Sequence, residues 1–141
     1  MAMLKILITI LLGMSSSAYA LNIDKACEEY GEQKQALLSN LSTSYKEANM
    51  AGQCIGYSAV IRGNGIKLKQ LCSEFIEHKE NLLGRLSTSL KEANMAGQCI
   101  GAIYAACNDI NYTNAAKIIS NSNDSFTMSR SSIQRYLGCY D

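Results

Sequence analysis

The 141-residue chain has no proline, no tryptophan, two phenylalanines and a single histidine. Without proline nothing in the sequence forces a helix to break, which fits a mainly helical chain. One imidazole is too little for the usual Cys/His zinc patterns, and no CxxC occurs, so no metal and no redox motif is expected. Strong charge of either sign is also missing: 13 basic residues stand against 12 acidic ones. That balance argues against nucleic acid, whose binding needs a basic footprint. Apolar runs are short as well. The longest, "ILITILLGM" at 6–14, falls well below the roughly 20 residues that span a bilayer.

That run has a different meaning. Lys5, the apolar stretch and the small-residue end Ala18-Tyr19-Ala20 have the layout of a cleaved secretory signal over residues 1–20. A mature single domain over 21–141 is expected, with no membrane span. Removing Lys5 leaves 12 basic and 12 acidic residues, a net charge of zero. Six cysteines all lie in the exported part: Cys27, Cys54, Cys72, Cys99, Cys107 and Cys139. An even number in an exported chain predicts three disulfides.

The most informative feature is a duplication. "LSTSYKEANMAGQCIG" at 41–56 returns at 86–101 as "LSTSLKEANMAGQCIG", with only Tyr45 changed, to Leu90. The similarity extends back to Cys27 and Cys72 at a constant offset of 45 residues, giving units 27–71 and 72–116 and a tail 117–141. Two copies do not make a solenoid. Ile23, Cys27, Tyr30, Leu37 and Leu41 recur at helical steps and form one apolar stripe. Ser44 with Glu47, and Ser89 with Glu92, have capping-box spacing, so a second helix is expected to begin after each serine.

A rival reading is one uninterrupted helix over about 24–62, which would hold Cys27 and Cys54 about 40 Å apart. A disulfide needs Cα atoms within ~7 Å. In an antiparallel hairpin, residues equidistant from the turn meet. The midpoint of 27 and 54 falls in "SNLS", and that of 72 and 99 falls just after Gly84, a natural helix stop. The spacing therefore predicts Cys27–Cys54 and Cys72–Cys99, each stapling one hairpin, and leaves Cys107–Cys139 to tie down the tail. The fold class is then all-α: two tandem disulfide-stapled helical hairpins plus a short helical C-terminal tail.

Ala48, Gly52 and Gly56 recur every four residues, as do Ala93, Gly97, Gly101 and Ala105. Such a bare stripe lets another backbone approach, and it predicts that the two copies pack across each other around a pseudo-twofold axis. "RGNG" at 62–65 reads as the joining loop, "NAAKII" as a short helix, "SNSNDS" as a polar loop and "SRSSIQRYLG" as a last helix ended by Gly138.

Chemistry is hard to find. His78 lies on "EFIEHKE", a solvated helix face, and Glu28, Glu29, Glu32, Glu74, Glu77 and Glu80 sit beside lysines at helical spacings. "GNG" lacks the Lys-Ser/Thr of a phosphate loop. Three Asn-x-Ser/Thr sequences, at Asn40, Asn111 and Asn123, matter only where glycosylation occurs. No catalytic residue, cofactor or metal is expected, and the chain is read as a non-enzyme. Eight tyrosines on a neutral stapled scaffold suit protein contact. The copies diverge most at 57–71 and 102–116, so Tyr57, Arg62, Asn64, Asp109, Asn111 and Tyr112 are the candidate partner-binding residues.

The signal-like start, the early cysteine-bearing helix and "CIGY" at 54–57 resemble the Rap/Tai-type immunity proteins of type VI secretion systems. The resemblance spans the signal and about residues 24–72. It implies a small, exported, helical, disulfide-containing periplasmic protein that binds and blocks a peptidoglycan amidase toxin, with Cys54, Gly56 and Tyr57 as fold elements. This chain lacks the family's later Cys-x-Pro, reading "LCSEF" around Cys72, and its second copy reads "CIGA". The functional expectation is an inhibitor or immunity factor that occludes a cell-wall-degrading toxin. The alternatives are a periplasmic stress chaperone or structural factor and a secreted effector, and a homodimer is left open.

Overall fold

A computed structural model describes residues 21–36, 44–81, 89–123 and 126–140. The expected signal, both hairpin turns with "SNLS" and Gly84, and the stripe residues Leu37 and Leu41 lie outside them. Among the described residues the chain forms six helices and no strand: α1 (Ile23–Ala36), α2 (Tyr45–Ile61), α3 (Leu68–Asn81), α4 (Leu90–Ala106), α5 (Tyr112–Ser120) and α6 (Arg130–Leu137). The all-α expectation holds, and so do both capping boxes. The Ser44 and Ser89 hydroxyls accept from the Glu47 and Glu92 amides, and each glutamate accepts from its serine's amide at 2.7 and 2.8 Å. Gly138 ends α6 with φ 69°, the left-handed value that glycine adopts without a Cβ clash. The unit boundary drawn at 116/117 falls inside α5.

All three expected disulfides are formed. Cys27–Cys54 and Cys72–Cys99 join α1 to α2 and α3 to α4 with Cα separations of 4.8 and 4.9 Å, and Cys107–Cys139 fastens the end of α6 to the end of α4. Cys27 opposes Cys54 while Gln33 Nε2 donates to the Glu47 carbonyl at 2.8 Å, so α1 runs antiparallel to α2.

The two hairpins meet through α2 and α4, which pack closely, parallel and in register. Asn49 Nδ2 donates to the Ala93 carbonyl at 3.1 Å, and Asn94 Nδ2 donates to the Ala48 carbonyl at 3.2 Å. Gln53 and Gln98 each donate to the asparagine one turn earlier, both at 2.8 Å. Position i therefore faces its own copy near i+45, the signature of a pseudo-twofold axis along the helices. The glycines permit it: a Cβ on Gly52, Gly56, Gly97 or Gly101 would fall 1.9–2.1 Å from a carbonyl oxygen of the facing helix. With each glycine against the other helix's backbone, the axes approach closely enough for Cα–H···O contacts.

The core is one-sided. Leu68, Ile103, Ile119 and Ile133 are all fully buried and come from α3, α4, α5 and α6, whereas α2 contributes Val60. Helix α5 lies against α3 and α4 with Ala115, Ala116 and Ile119 buried, and α6 covers α4 and α5. A two-residue antiparallel bridge, Ile66 with Met128, ties the inter-hairpin loop to the tail. Among the described residues α1 packs chiefly on α2. The sequence accommodates this: Leu71 and Ile76, which pack into the core from α3, correspond to Ala26 and Gly31 in α1. At these two positions the helix with less cover among the described residues carries the smaller residue.

Candidate functional site

Because α2 and α4 run parallel, both finish at the same end of the molecule. The two divergent segments that follow them, expected to carry specificity, therefore emerge side by side. Tyr57 and Tyr104 lie near the C-terminal ends of the paired helices, half-buried, with ring centroids 6.0 Å apart and tilted by 39°. Tyr57 also packs against the core. The rings form a wall of an open cleft of about 200 Å³ that includes Ile61, Asn108 and, from the start of α6, Arg130. Ile61 is half-exposed.

Of the expected residues only Tyr57 lines this cleft; Arg62, Asn64, Asp109, Asn111 and Tyr112 do not. Arg62 caps α2 and is exposed; Asn64 is exposed, and its amide donates to the Ala59 carbonyl at 2.9 Å. Asp109 is exposed in the turn after α4. Asn111 has a structural task, since its side chain caps α5 by accepting from the Asn114 amide at 3.0 Å. Tyr112 is half-buried and donates to the Asn108 carbonyl at 3.1 Å; burial first, then Tyr104 and Asp109, push its phenol above the usual value. A second open hollow, of about 390 Å³, is lined by Lys67, Lys69, Gln70, Ser73, Glu74 and the largely exposed Phe126.

Sequence reasoning missed Ile61, Arg130 and Phe126. Arg130 and Phe126 belong to the tail, and nothing local announces that the tail folds back onto this end. It also missed a contact at the opposite end. Tyr45, the one residue changed in the duplicated stretch, stacks on His78, the only imidazole, with centroids 5.5 Å apart and Oη 2.7 Å from Nδ1. His78 is therefore half-buried against a ring rather than on a freely solvated face. The two singular residues of the sequence were the available signal.

Among the described residues no group of three or more His, Cys, Asp or Glu is placed to hold a metal ion, no cysteine is free, and no helix is long and apolar enough to cross a membrane. Three disulfides suit an oxidising compartment. Compared with known protein families, curated proteins and solved structures, the chain finds no match.

Proposed function

We propose that this chain is an exported, non-catalytic binding protein, and specifically a periplasmic immunity factor that neutralises a cell-wall-degrading toxin by occluding its active site. The observation that carries the binding reading is the convergence of the two divergent segments at one end of a rigid, stapled scaffold, beside paired tyrosines. Loops held on a rigid frame lose little entropy on association, and half-buried tyrosines give contact area with few rotors. The choice of a peptidoglycan amidase as the target follows from the resemblance to Rap/Tai-type proteins in "CIGY" and the signal-like start.

The test is affinity capture with the tagged, oxidised protein from a periplasmic extract, followed by mass spectrometry and a hydrolase assay on the captured partner. One stoichiometric cell-wall hydrolase, inhibited on binding, is the expected result. A broad set of clients that grows as the pH falls would instead indicate a chaperone, and a captured partner with no wall-degrading activity would remove the immunity reading.

A further inference from the structure

The close contacts between α2 and α4 are made by residues that both helices share. The stretch "KEANMAGQCIG" stands at 46–56 and again, unchanged, at 91–101. Asn49 reaches the Ala93 carbonyl as Asn94 reaches the Ala48 carbonyl, and a Cβ on Gly52 or on Gly97 would meet the facing backbone at the same 2.0 Å. Such a face is self-complementary, like the isologous interface of a twofold dimer, yet here one chain supplies both halves. The first hairpin is otherwise lightly attached. Among the described residues it adds only Val60 to the buried core cluster, with Tyr57 and Ala59 packed beside it, and Tyr45 reaches His78. No disulfide joins it to the rest: Cys27–Cys54 lies within it, and Cys72–Cys99 and Cys107–Cys139 lie beyond it. The connection is exposed from Ile61 to Gly65, turns on Gly63 at φ 75°, and ends at buried Ile66, which is paired with Met128.

We infer that the α4 face also takes the first hairpin of a second copy of this chain: two copies exchange residues 21–61, each α2 docking on the other copy's α4 through the contacts it makes within one chain. Exchange gives up only the turn at 62–65, where the Gly63 and Asn64 amides return to the Val60 and Ala59 carbonyls. Val60 keeps its place in the core, because α3, α4 and α5 offer the same place in either copy. Pairing α2 with a second α2 would leave Val60 without one, so the exchanged form is the favoured dimer. Four extended residues reach at most about 14 Å, so the two copies meet at the end where α2 and α4 finish. Each aromatic cleft is then built from two chains, with Tyr57 and Ile61 from one and Tyr104 and Asn108 from the other. The dimer carries two such clefts. Within one chain the short connection holds the hairpin at an effective concentration on the order of mM, so the dilute protein is monomeric and exchange belongs to concentrated or hinge-altered protein.

The experiment uses the full oxidised chain, unfolded in guanidinium chloride without reductant and refolded at about 10 μM and about 1 mM, then sized by sedimentation velocity. A dimer is expected from the concentrated sample and a monomer from the dilute one. Gly63→Val tests the hinge. A Cβ there meets nothing within 4 Å, so the closed turn is disfavoured only through its left-handed φ. With two hinges relieved in each dimer, the dimerisation constant is expected to rise at least about thirtyfold. Gly63→Asn, which tolerates that φ, is expected to stay near the unaltered chain. A dimer refolded from one 15N-labelled and one 13C-labelled chain separates exchange from side-by-side association. Isotope-filtered NOEs from the Asn49 side-chain amide to Ala93 are expected to pass between chains. A dimer in which that contact stays within one chain would overturn the assignment. So would monomers at both concentrations for the unaltered chain and Gly63→Val alike, or equal dimerisation of the Val and Asn variants.

Discussion

At Gly56 a methyl group would meet the Gln98 carbonyl oxygen at 2.1 Å, whereas nothing lies within 4 Å of a Cβ on Gly31. Both positions are helical, so propensity alone favours alanine at each by about 1 kcal/mol. Contact decides between them. The obstacle at Gly56 is backbone, which cannot swing aside, and α2 and α4 must separate along their shared face. Gly56→Ala is expected to lose about 2 kcal/mol net, and Gly31→Ala to gain about 0.5–1 kcal/mol, in urea unfolding of the oxidised protein. Equal effects at the two sites would mean that the close helix pair does not carry the fold. Tyr45 and His78 give a second test at this scale. A double-mutant cycle with Tyr45→Leu, which copies Leu90, and His78→Gln is expected to return a coupling of about 0.5–1 kcal/mol.

Among the elements, α2 and α4 begin in nearly identical ways, and their caps set the acid behaviour. The Ser44 amide first, and its hydroxyl second, hold the Glu47 carboxyl below its usual value; Ser89 does the same for Glu92. A lowered folded value means stability that is present above the ordinary carboxylate range and lost as pH falls through the folded value. Glu74 on α3 has the opposite sign. Burial first, then the charges of Glu77 and Glu92, raise its value against partial relief from His78 and Lys91. Its share of stability is lost as pH rises from the ordinary range through the raised value. Unfolding midpoints measured from neutral pH to about pH 3 should therefore show a shallower acid loss for Glu47→Gln with Glu92→Gln, and a steeper one for Glu74→Gln. Replacing either capping serine by alanine should lower stability by about 1 kcal/mol at neutral pH. The caps were legible from the sequence because a capping box is complete within four residues. The burial of Glu74 and the approach of Glu92 from another helix were not legible, although Glu77 stands three residues away on the same helix.

Across the whole molecule, cover is unequal. Helix α1 packs on α2 and is held by Cys27–Cys54, while α3 lies in the core with Cys72 and Cys99 both fully buried. The two bridges close loops of the same 27-residue separation, so chain entropy assigns each roughly 3–4 kcal/mol. Their removal should nonetheless differ in kind. Cys27→Ser with Cys54→Ser is expected to release α1 locally, with loss of amide-exchange protection confined to 23–36. Cys72→Ser with Cys99→Ser is expected to lower the global unfolding midpoint and expose α3 to α6 together. Uniform loss of protection in the first variant would show that α1 is integral to the core.

The sequence by itself determined the all-α class, the two hairpins and the cysteine pairings, because caps act within a turn of helix, two bridges follow from equal spacing about a turn, and Cys107–Cys139 is the pair that remains. The alanine and glycine stripes also announced that two helices would meet. Only the tertiary structure decided that α2 and α4 run parallel and in register, since a stripe fixes which face is buried and says nothing of direction. That direction brings Tyr57 beside Tyr104, places Arg62 and Asp109 at one end, and lets the tail bring Arg130 to the same cleft. It also sets Tyr45 against His78 at the far end. Such meetings depend on how two helices 45 residues apart share their backbones, and no local pattern encodes that.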